Sequence, residues 1–322
     1  MLGELLATLA WLTQFSDPLA WLVIGTFSAG ALIELRDRDL ARPVTVVAWV
    51  LFAAFWLSLV YHFAFVAKSI IEGVGSAAAV PLSLYVAYLI WNGRDSLFVL
   101  TRAVALMGVV FMPFEAIIPL QKVLIELVAS QTEFLMQLLG VDPTVVSGAE
   151  FGHHDFRSTF YFTAENDPNH ALTYTILIAC TGIGSMAIFV GLIGAVRAPL
   201  RNKLRALAVS LPVIYGLNLI RNIFIGLGFG LQKFHIAPDL VMSVFALDDP
   251  YRVSYIIADR IISQSLAVVA LVFITWFVVR ELPGVLVIIE DLLFLVTGTE
   301  YDLQNAFDMD APMRADGDGR AR

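Results

Sequence analysis

The chain reads as an all-α protein, a polytopic transmembrane helical bundle of about seven to eight spans with one amphipathic interfacial helix. Three observations predict it. Of 322 residues, 59% are hydrophobic and 15% charged. The mean hydropathy is +0.80, so too few polar groups exist to cover a soluble surface. The apolar stretches are long and continuous rather than short and alternating, which favours helices over a barrel, the two architectures that satisfy the backbone in lipid. A single cysteine, Cys180, excludes an intrachain disulfide and a cysteine-based zinc cluster. The net charge of -8 and the scarcity of lysine (Lys68, Lys122, Lys203 and Lys233) fit a salt-adapted, acidic surface. Nothing basic and aromatic-interleaved points to nucleic acid.

Taken in order, Leu2 to Phe15 is apolar but broken by Ser16-Asp17-Pro18 and lacks a basic start, so it reads as interfacial. Spans follow at about Leu19 to Ile33, Val44 to Val66, Ala77 to Trp91 and Leu97 to Ile118. From Gln121 to Leu139 charges recur among apolar residues at helical period, the pattern of a helix lying on the membrane surface. Val141 to Asn169 is polar and rich in turn signals, including Asp142-Pro143 and Asp167-Pro168-Asn169. Three further spans run from about Leu172 to Val196, Ala206 to Gly230 and Val253 to Val279. Val285 to Val296 is short and flanked by charge, so it lies at the interface or re-enters. Residues 1–301 thus read as one transmembrane domain, its motif-bearing core at about 172–280, and 302–322 as a polar, disordered cytoplasmic tail. The basic loops holding Arg36, Arg38 and Arg42 and Arg197 to Arg205 face the cytoplasm, which agrees with seven spans.

That topology places Cys180, Arg221 and Arg260, on three successive spans, at one level, roughly 10–14 Å below the outer end of each. A thiol is nucleophilic only as the thiolate, and a nearby guanidinium favours that anion. Arginine is no general base, but a second one can hold a developing oxyanion in a dry site. The set reads as acyl transfer through a thioester at the outer leaflet. Taken singly, Cys180 also suits plain packing, and either arginine a structural pairing or snorkelling. Asn218 and Gln264 share a helix face with Arg221 and Arg260 and can orient them, whereas Asp259 points about 100° away from Arg260. Gly182 and Gly184 permit close helix approach. His153, His154, Asp155 and His170 match no metal motif and read as solvated loop residues. No metal and no cofactor is expected.

The segments ACTGIGS around Cys180, LIRN around Arg221 and ADRIISQ around Arg260, in that order on successive spans, resemble the exosortase and archaeosortase family, most closely its archaeal branch from halophiles. The resemblance rests on about Tyr174 to Leu266. It implies a membrane transpeptidase, a thiol protease in kind, with Cys180 as nucleophile and acyl-thioester carrier and Arg221 as the arginine that stabilises thiolate or oxyanion. Arg260 takes the third position, as proton donor or oxyanion stabiliser. Bacterial members place histidine there; arginine resembles the archaeal branch and argues against an imidazole base. The implied partners are the C-terminal signal helix (PGF-CTERM-like) of secreted surface proteins such as an S-layer glycoprotein, and a membrane lipid as acyl acceptor. The rival reading is a transporter that binds an anionic solute through Arg221 and Arg260, with Cys180 only packing. A retinal protein is disfavoured, because the final span has no lysine.

Overall fold

The computed structural model describes residues 2–164 and 167–306. Of the tail expected at 302–322, residues 307–322 lie outside the described residues. The helices are α1 (Leu2–Leu12), α2 (Ser16–Glu34), α3 (Arg38–Tyr61), α4 (Ile70–Trp91), α5 (Phe98–Ala116), α6 (Ile118–Leu138), α7 (Ile183–Ala195), α8 (Leu200–Gly230), α9 (Pro238–Phe245), α10 (Arg252–Tyr255), α11 (Gln264–Glu281), α12 (Leu286–Thr297) and α13 (Leu303–Ala306). Between α6 and α7 lie strands β1 (Thr144–Ser147), β2 (Arg157–Ala164) and β3 (Asp167–Thr175). Among the described residues, six helical stretches are long and apolar enough to cross a membrane, and Ile183–Ala195 is a shorter apolar helix. The chain is a mostly helical, multi-pass membrane protein.

Two of the expected boundaries are revised. Ser16-Asp17-Pro18 does not break the N-terminal run: Leu6–Glu34 is one apolar stretch, because Pro18 sits in the first turn of α2, where its missing N–H costs nothing. The expected span from Leu172 to Val196 is not one helix either. Its first part is β3, followed by a turn at Ile178–Thr181, and only then the helix α7.

The chain divides into two compact units. The first, Met1–Val110, Ala187–Val209 and Thr275–Arg322, packs α2, α3 and α4 around Phe27, Trp49 and Phe52, whose rings meet edge to face. Two of its buried carboxylates, Glu34 and Asp291, meet arginines. Arg102 Nη1 donates to both oxygens of Glu34 at 2.6 and 2.8 Å, and Arg94 Nη2 donates to Asp291 Oδ1 at 3.2 Å.

The second unit, Phe111–Met186 and Ser210–Ile274, contains the polar segment expected as loop. It is instead an antiparallel sheet in the order β1-β2-β3. An apolar period-two face explains it: Phe160 and Phe162 on β2 and Leu172 and Tyr174 on β3 are buried and Tyr161 is exposed, while Thr159 is buried on the other face in a hydrogen bond to Thr175. This apolar face joins Val128, Ala129 and Met136 of α6 and Ile225 and Phe229 of α8 in one core. Gly230 allows the contact, since a Cβ there would overlap the Phe162 ring.

Candidate active site

The strand β3 delivers the chain into a 3₁₀ turn, Ile178–Thr181, that carries Cys180. The turn is fixed from within: Cys180 N–H donates to Leu177 O at 2.9 Å and Thr181 Oγ1 donates to Ile178 O at 2.6 Å. Gly182 ends it in the left-handed region at φ 79°, a conformation that glycine adopts without a Cβ penalty. A Cβ on Gly182 would also lie 3.0 Å from Asn218 Cγ, so glycine serves both the turn and the close approach of α8. Gly184 has open space around its Cα and serves no such approach.

From α8, Asn218 and Asn222 sit four residues apart on one face, and both side-chain amides donate to the Cys180 carbonyl, at 2.7 and 2.9 Å. The expected partner of Asn218 was Arg221; its amide goes instead to the backbone of Cys180. Asn222 is completely buried and accepts from the Tyr174 hydroxyl at 3.0 Å. Strand, turn and helix are thereby joined through the cysteine's own carbonyl, which fixes where the thiol stands.

Arg221, one residue before Asn222, reaches the opposite way. Its Nη2 donates to Asp259 Oδ1 at 2.7 Å. Asp259 is buried, and it lies in Ile256–Ser263, a segment wound as a π-helix between α10 and α11. Such i→i+5 winding is rare and frequent at functional sites. Arg260 Nε is 3.5 Å from Asp259 Oδ2, so the carboxylate stands between the two arginines. The 100° separation expected of a regular helix does not keep Asp259 from Arg260 here. Gln264 begins α11 and is buried.

The structure therefore brings Cys180, Arg221, Arg260 and Asn218 into one neighbourhood. Burial is the strongest influence on the thiol and opposes its anion, as Asp259 does; Arg221 and, more weakly, Arg260 favour it. Arg221 Nε is buried and has no hydrogen-bond partner, so its N–H is available to a substrate oxygen. Asn222, Tyr174 and Asp259 are the residues that sequence reasoning undervalued. The available signal for Asp259 was a carboxylate in an apolar run, which needs a cationic partner.

The loop histidines lie elsewhere. His170, on β3, has Nε2 3.7 Å from Asp249 Oδ2 and stacks on Tyr251 at 4.2 Å between ring centroids. His154 stacks on Phe156, and Asp155 accepts from Ser147.

A lined cavity of about 280 Å³ adjoins Arg221. Gly182, Ser185, Asn218, Arg221 and Ser263 form its polar part, and apolar residues of α8 and α11 the rest.

Comparison with known proteins extends the resemblance well beyond the three motif segments. The family described as Transmembrane exosortase (Exosortase_EpsH) matches residues 11–248. The chain is 52% identical over 305 residues to Archaeosortase A of Haloferax volcanii, covering 92% of this chain and 98% of that protein. It is 42% identical over 299 residues to Archaeosortase A of Natronomonas pharaonis, covering 90% and 92%. No solved structure matches. With a family match over most of its length and relatives this similar from end to end, the chain belongs to the transmembrane exosortase family.

Proposed function

We propose that the chain is a membrane-embedded cysteine transpeptidase that removes the C-terminal sorting signal of secreted surface proteins and transfers them to a membrane lipid. The observation that supports it best is the double amide clamp on the Cys180 carbonyl, which holds the one thiol of the chain beside the Arg221–Asp259 pair. A cysteine that merely packs has no need of two buried amides on its own backbone.

In the first step the Cys180 thiolate attacks the scissile carbonyl carbon. The resulting oxyanion is stabilised by the positive charge of the Arg221 and Arg260 guanidinium groups. The C–N bond breaks, the amine of the signal leaves with the proton that the thiol gave up, and the surface protein remains as a thioester on Cys180. In the second step a lipid hydroxyl attacks the thioester carbonyl: a C–O bond forms, the C–S bond breaks, and the hydroxyl proton returns to sulfur. Arg260 donates a hydrogen bond in both steps and removes no proton, because a guanidinium stays charged. Asn218 and Gln264 are supporting residues. The substrate is a surface protein, such as an S-layer glycoprotein, ending in a PGF-CTERM-like motif, an apolar helix and a basic end. The enzyme sits in the cell membrane with its site toward the extracytoplasmic leaflet.

The test is processing of such a surface protein in cells carrying wild type, Cys180→Ser or Cys180→Ala. The expected result is full-length, signal-bearing product in both variants at normal enzyme abundance. Normal processing in either variant sinks the cysteine mechanism.

A further inference from the structure

The cavity beside Arg221 is lined by residues of both α8 and α11. Arg221 is bound to Asp259, one turn before Ser263, so the Arg221 end of α8 meets the Ser263 end of α11, and the apolar lining runs away from them. From there it extends to Ile214 on α8 and Ile274 on α11, roughly 10–16 Å of helix. Its rim is open to the side: Ile220 and Leu266, 62% and 61% exposed, border it. In a membrane protein such a rim faces lipid.

Beyond that end the groove is lined only by apolar residues, among them Leu217, Ala267 and Leu271, which suits a hydrocarbon chain entering from the lipid. Its polar end supplies donors that lack acceptors: Arg221 Nε is buried and unpartnered, and Ser263, 5% exposed, has its Oγ buried without a hydrogen-bond partner while lining the groove. Unmet donors of this kind call for an oxygen-rich, anionic group.

We propose that this groove between α8 and α11 holds one hydrocarbon chain of a membrane lipid, with its phosphate-bearing head at Arg221 and Ser263, and so seats the acyl acceptor next to Cys180. The role as acceptor site rests on the transpeptidase reading; binding of the lipid does not. Ala270, midway along the α11 wall, is where a large side chain fills the groove and leaves the polar end untouched.

Two experiments test it. In Ala270→Trp, verified by a wild-type thermal midpoint and size-exclusion profile in detergent, the thioester on Cys180 should form at the wild-type rate while its release to lipid slows by about tenfold or more. Release at the wild-type rate overturns the proposal. Loss of thioester formation also overturns it, assigning the groove to the peptide substrate. Should wild type form no thioester at all, the transpeptidase reading fails, and the second experiment still decides the groove. There, Cys180→Ala protein in vesicles is photolysed with a phospholipid carrying a diazirine midway along one chain. Labelling should concentrate on the lining of α8 and α11, drop several-fold in Ala270→Trp or Ala267→Leu, and be several-fold weaker with a diacylglycerol lacking phosphate. Labelling spread evenly over the lipid-facing surface, or indifferent to the phosphate, overturns it.

Discussion

Arg221 and Asp259 meet at 2.7 Å across two helices, and the carboxylate that binds Arg221 also lies 3.5 Å from Arg260. One buried acid thus sets the position of two cations that face a single thiol. Its charge weakens their pull on the thiolate, so it is retained for geometry: without Asp259 the guanidinium of Arg221 would be free to turn.

Asp259→Asn keeps the shape and removes the charge. Thioester formation should fall by about 10²-fold, the scale of losing one positioned donor in a transition state, with thermal stability lowered modestly because Arg221 is partly exposed. Asp259→Glu should recover part of the rate. Single-turnover kinetics and melting in detergent check both.

Asn222→Ala should destabilise more than Asn218→Ala. Each removes one amide from the Cys180 carbonyl, but only the first strands the buried Tyr174 hydroxyl, at a cost of about 1–3 kcal/mol. In Asn222→Ala/Tyr174→Phe the orphaned hydroxyl is gone, so the double variant should be more stable than the sum of the single effects. Denaturant or thermal unfolding of the four proteins reads the coupling.

Gly182→Ala should cost about 1–2 kcal/mol from the left-handed backbone alone, and its Cβ would press on Asn218, displacing the Cys180 clamp. Gly184→Ala, with open space around it, should fold and react like wild type. Parallel melting and thioester assays separate the two glycines.

Arg102→Met tests the other unit. It leaves Glu34 buried without its closest cation, so stability should drop by about 3 kcal/mol while thioester formation by the folded fraction is unchanged. A proportional loss of intrinsic rate would contradict the separation of the two units' roles.

Much of this was legible in the sequence because the hydrophobic signal in membrane spans is strong. Long apolar runs located most of the helices, and the two arginines in apolar runs marked side chains that the fold brings to one buried carboxylate, Asp259. What failed was local. Leu172-Thr-Tyr-Thr-Ile176 alternates, yet its apolar content merged with the following helix into one run long enough to span, so β3 was read as helix. The sheet's other strands hid in a segment whose turn residues dominated its short alternating patterns. The π-helical winding of Ile256–Ser263 cannot be seen in residue types at all, and with it went the true neighbours of Asp259. The signal for Asn222 was its spacing of four residues from Asn218, which puts both amides on one face of α8.

The central claim is that Cys180 carries the acyl group, and intact-mass analysis tests it most directly. Wild type in vesicles with a slow lipid acceptor is given a peptide bearing the sorting signal, then quenched in acid. The account predicts an adduct of the donor fragment's mass, cleaved by neutral hydroxylamine, located on the peptide containing Cys180 and absent from Cys180→Ala. Signal release by wild type with no adduct, or an equal adduct in Cys180→Ala, would contradict it.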